Sequence, residues 1–82
     1  MMRTLIDVEG KEWDVAVGRE SYGMQVLLFF PRGGGEIRKA MMGSSTRLDA
    51  QQELDSLNRQ ALQERLESSQ PWESQDWFQN DR

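Results

Sequence analysis

An α+β fold is predicted by three observations. Apolar residues alternate with period two through the first half of the chain, helical spacing takes over in the second half, and Gly43-Ser44-Ser45 separates the two. The expected architecture is a four-stranded antiparallel meander followed by two short helices packed on one face, then a flexible C-terminal tail. Residues 1–72 are read as a single α+β domain and 73–82 as an acidic aromatic tail, because 82 residues hold one hydrophobic core.

The strands follow in order. Arg3 to Val8 forms the first, and Gly10 in Val8-Glu9-Gly10-Lys11 supplies the positive φ of a tight hairpin. Glu12 to Val17 places Trp13, Val15 and Val17 on one face of the second strand, with Trp13 as its anchor. After a turn at Glu20-Ser21-Tyr22-Gly23, Met24 to Phe30 is apolar on both faces and belongs at the centre of the sheet. Pro31 lacks a ladder N–H and ends it, and Arg32-Gly33-Gly34-Gly35 makes a loop. Glu36 to Met42 is the fourth strand, whose charges suit an exposed edge.

The helices have local signals. Thr46-Arg47-Leu48-Asp49 resembles a capping box with Asp in place of Glu, and Ala50, Leu54, Leu57 and Ala61 share one helical face. Leu62 and Leu66 fall about 100° off that stripe in a straight helix. A break at Asn58 removes the mismatch, with Leu57 and Leu62 as a hydrophobic staple. Two helices are therefore expected, Arg47 to Ser56 and Arg59 to Ser68. Pro71-Trp72 then precedes the polar, acidic tail.

Composition excludes much chemistry. The chain has no cysteine and no histidine, which removes disulfides, thiolate ligands, the commonest general base and the main nitrogen ligand for transition metals. No cofactor, metal site or enzymatic activity is expected. No apolar run approaches the ~20 residues of a membrane-spanning helix. Met1-Met2-Arg3-Thr4-Leu5-Ile6-Asp7 lacks a signal-peptide core, so a cytoplasmic bacterial-type protein with no membrane association is expected. The net charge of -4 is uneven. Through Arg47 there are seven basic and six acidic residues, and from Leu48 onward three and eight. This disfavours generic nucleic-acid binding and leaves a local basic patch open.

Arg3-Thr4-Leu5 with Asp7, Gly10 and Trp13, the run Leu27-Leu28-Phe29, and Pro71-Trp72 resemble a loosely defined set of short uncharacterised bacterial proteins. The resemblance covers about Arg3 to Trp72 and implies one intact domain, without implying a function.

Four groups of residues are candidates for a site. Arg32, Gly33, Gly34 and Gly35, with Arg38, Lys39 and Arg47, could hold a phosphate at a hairpin tip, since glycines admit close approach and arginines pair bidentately. The run lacks the Gly-Lys-Ser/Thr ending of a phosphate-binding loop, and a solvated turn and edge strand is the simpler reading. Asp7, Glu9, Glu12 and Asp14 could form an acid/base pair, but are read as solvated hairpin charges. Met24, Met41 and Met42 are read as core fillers rather than a soft binding surface, and Tyr22 as half-buried. Trp77 and Phe78 could form a peptide-like anchor for a partner or a second copy, while a tail that is loose or docks on its own domain is the simpler reading. The function expected is a non-catalytic protein-interaction or regulatory module, self-associating or bound to a protein partner. Binding of nucleic acid or a phosphate ligand through the glycine-rich basic hairpin is the alternative.

Overall fold

The computed structural model describes residues 2–20 and 22–72. Four strands, β1 (Arg3–Ile6), β2 (Glu12–Arg19), β3 (Gln25–Pro31) and β4 (Arg38–Met41), lead into helices α1 (Arg47–Ser56) and α2 (Arg59–Glu67), and β5 (Gln70–Pro71) follows. The fold is α+β. All pairings are antiparallel, and the strands lie in chain order from β1 to β5.

The sheet has five strands rather than four. The short β5 lies against β4, pairing Arg38 with Pro71 and Lys39 with Gln70, and the Trp72 N–H donates to the Ile37 carbonyl at 2.8 Å. The expectation of an exposed β4 edge is corrected accordingly. β5 has no sequence signature because two residues cannot show an alternation, and one of them is proline, which an outermost strand tolerates.

Pairing register assigns the faces. Leu5, Trp13, Val15, Leu27, Phe29, Ala40 and Met42 form one buried cluster with Ala50 and Leu54 of α1 and Leu62 and Leu66 of α2. Trp13 and Phe29 meet edge to face, with ring centroids 6.4 Å apart. The T-shaped contact sets the positive ring edge against the negative ring face.

Local chemistry fixes both helix starts. The Thr46 hydroxyl accepts the Asp49 N–H, and the Asn58 side chain accepts the Ala61 N–H. Between them Leu57 is extended, so the turn is re-phased and Leu62 and Leu66 face the sheet beside Ala50 and Leu54. Arg3 reaches from β1 to donate to the carbonyls of Leu54 and Leu57, placing a cation at the negative end of α1.

The opposite, outer face carries Ile6, Ala16, Val26, Leu28, Phe30, Lys39 and Met41, as the register dictates. Here β2 approaches its neighbour closely at Gly18. A Cβ on Gly18 would lie 2.5 Å from Leu28 Cδ1, so the absent side chain lets Leu28 lie across the strand.

Candidate functional site

The cations grouped by their nearness in sequence go to three different places. Arg32 follows β3 and turns back over the outer face, where its Nη1 meets Glu12 Oε1 at 3.2 Å and its Nη2 meets Asp14 Oδ1 at 2.9 Å. The same guanidinium donates to Thr4 Oγ1 at 3.3 Å. The hydrogen bond and charge of Asp14, followed by those of Glu12, raise the Arg32 pKa above its ordinary value. Gly34 and Gly35, at φ 88° and 122°, give this loop the left-handed backbone that lets β3 turn toward β4, and Gly33 lies between Arg32 and these two.

Arg38 points to the helix side. It donates through Nε to Ser69 Oγ at 2.8 Å, through Nη2 to the Ser69 carbonyl at 2.7 Å and through Nη1 to Glu36 at 3.1 Å. It clamps the link between α2 and β5. Lys39, one residue on, points to the outer face and pairs with Glu20 at 2.8 Å, with both side chains largely buried. Its Nζ also lies 5.6 Å from the centre of the Trp72 ring. One step along a strand reverses the face. Arg38 and Lys39 therefore cannot grip one ligand together with Arg32.

The expected solvated carboxylates divide as well. Glu12 and Asp14 pair with Arg32, whereas Asp7 is buried and needs correction. Its Oδ2 accepts the Trp13 indole N–H at 2.9 Å, and its Oδ1 accepts the N–H groups of Glu9 and Lys11. The Trp13 bond leads the causes that hold the Asp7 pKa below the usual carboxylate range. The site is structural, and the buried indole N–H was the signal for it, since such a donor requires an acceptor.

The methionine reading is corrected in part. Met42 is in the core, but Met24 and Met41 are 43% and 44% exposed, and both alternate to the outer side. Tyr22 lies in the turn beyond the strand ends and is exposed rather than half-buried. On the outer face half-buried Ala16, Leu28 and Phe30 and the 44% exposed Met41 form an apolar strip around the buried Val26, and the polar cluster of Thr4, Glu12, Asp14 and Arg32 separates this strip from Ile6, which is 48% exposed. Trp77 and Phe78 lie outside the described residues.

Among the described residues no group of three or more acidic, His or Cys side chains is placed to hold a metal ion, and no helix is long and apolar enough to cross a membrane. Comparison with family models, with curated proteins and with solved structures gives no match.

Proposed function

We propose that this chain is a non-catalytic interaction module that self-associates through the outer face of its sheet. The supporting observation is that Met24 and Met41 remain close to half exposed at one end of the strip formed by Ala16, Leu28 and Phe30, on the side that the helices leave uncovered, with Ile6 exposed at the far corner of the same face. Exposed apolar groups arranged contiguously mark interaction surfaces.

The second copy is favoured by charge. The cations bordering the patch are neutralised within their own chain, Arg32 by Glu12 and Asp14 and Lys39 by Glu20. The patch therefore offers no strong field to an acidic or basic partner and suits an equally neutral face. The Arg32 end carries one carboxylate in excess and the Lys39 end none, so a two-fold arrangement that apposes unlike ends avoids repulsion. Two such sheets would stack ~10 Å apart with strands within ~30°. Strand spacing and rise give a patch of about 20 by 17 Å, smaller than a standard interface, and the association is accordingly weak and reversible.

Sedimentation velocity at rising concentration tests this. The weight-average mass climbs above 9.5 kDa toward twice that value, and an Ile6→Glu/Met41→Glu variant stays monomeric with an unchanged circular dichroism spectrum. A strict monomer up to about millimolar concentration ends the proposal, because even weak apolar pairing would register there. Loss of association in Trp77→Ala/Phe78→Ala, with none in the sheet variant, would transfer the contact to the tail.

Phosphate or nucleic-acid binding at the glycine hairpin has less support, since Arg32, Arg38 and Lys39 each already hold acceptors of their own chain.

A further inference from the structure

A cavity of about 330 Å³ opens on the helix side, at the far end of the β2–β3 hairpin from the glycine loop. Val17, Gly18, Arg19, Gln25 and Arg47 line it. Arg19 and Gln25 are register partners on β2 and β3, and Arg47 is the first residue of α1, so three elements meet here.

Three features coincide. Gln25 is only 5% exposed, and among the described residues its side chain makes no hydrogen bond, so its amide opens to the cavity it lines. An amide held in place by packing, with its polar atoms bare toward a cavity, is available to a ligand bound there. Arg19 and Arg47, among the described residues, are the two cations with neither an ion pair, a hydrogen bond nor an aromatic contact from the side chain. Arg3, Arg32, Arg38, Lys39, Arg59 and Arg65 bind oxygen atoms, and Lys11 lies over Trp13. Lastly, the cavity sits at the start of the ten-residue α1, where the Thr46 hydroxyl takes the Asp49 N–H and the Thr46 carbonyl takes the Ala50 N–H. The amides of Arg47 and Leu48 have no acceptor within the helix. The helix dipole adds partial positive charge at the same end. Asp49 is the acidic residue of that first turn, but it is exposed and forms no part of the cavity wall.

We propose that Arg19, Arg47 and Gln25 form a binding site for a small phosphate-bearing molecule at the start of α1. Two arginines and a glutamine line one cavity with no carboxylate among the described lining residues, a composition suited to a doubly charged tetrahedral oxyanion. The volume is at the low end of ligand pockets and accommodates a phosphate monoester of a small molecule, not a polynucleotide. The site is on the opposite side of the sheet from the proposed dimer face, so it stands or falls independently of self-association.

Nuclear magnetic resonance titration of the full chain at low ionic strength tests the site, using inorganic phosphate, glycerol 3-phosphate and acetate. With both phosphate probes, the Gln25 side-chain amide and the Arg47 Nε signal shift saturably. Tighter binding of glycerol 3-phosphate assigns the ligand an organic portion, and equal binding assigns the site to phosphate itself. Arg19→Ala and Arg47→Ala each weaken affinity by about tenfold or more, as expected for loss of a charge-assisted bond. Gln25→Glu abolishes binding with amide dispersion retained, and Arg32→Ala leaves it unchanged. The proposal is overturned by the absence of saturable shifts at these nuclei, by acetate binding as well as phosphate, or by affinity that survives in Arg19→Ala/Arg47→Ala.

Discussion

Trp13 brings a polar atom into the core, and Asp7 satisfies it while holding the amides of the following turn. Asp7→Asn keeps the shape but replaces one acceptor oxygen by a donor, and should cost about 1–3 kcal/mol in urea unfolding. Because folding lowers the Asp7 pKa, its contribution is present above the unfolded value of about 4 and fades as pH falls through the folded value. The urea midpoint should fall between about pH 5 and 2, and less steeply in the variant. Glu53 retains part of that slope, since the Ser44 hydroxyl foremost and then Arg65 lower its pKa too. Trp13 was legible as an anchor from the alternation around it. Asp7 was not, because a hairpin aspartate is ordinarily solvated and only its pairing with the buried indole distinguishes it.

Helix α1 ends and α2 begins where apolar spacing goes out of phase, and Asn58 makes that break specific by accepting the Ala61 N–H. Asn58→Ala should lower unfolding free energy by about 1 kcal/mol, with Asn58→Ser recovering most of it in the same denaturant titration. Both helices were legible to within a residue because capping and staple chemistry is local. β5 was not, since it is defined by its partner strand and by the Arg38 clamp on Ser69, with no pattern of its own. Arg38 likewise looked like an edge charge until the segment it binds was in place.

Across the molecule, a sheet covered on one side leaves an apolar face on the other, and the two faces sort the candidate residues. Proximity in sequence was a poor guide. Arg32, Arg38 and Lys39 separate, whereas Arg19 and Arg47 converge from different elements to line one cavity. If the outer face pairs, dimerisation stabilises the native state by mass action. The melting temperature should then rise with protein concentration for the natural chain and stay constant for Ile6→Glu/Met41→Glu, as differential scanning calorimetry can measure. The contact of Arg3 with Leu54, 51 residues away, bears on how the chain acquires its shape during synthesis. The hairpins β1–β2 and β2–β3 can form from nearby residues as they leave the ribosome. Their helix-facing side nevertheless waits for α1, and Arg3 waits for carbonyls made half a chain later. A nascent chain halted before Leu57 should therefore hold a sheet with one greasy side open and engage a chaperone, whereas release of α2 closes it.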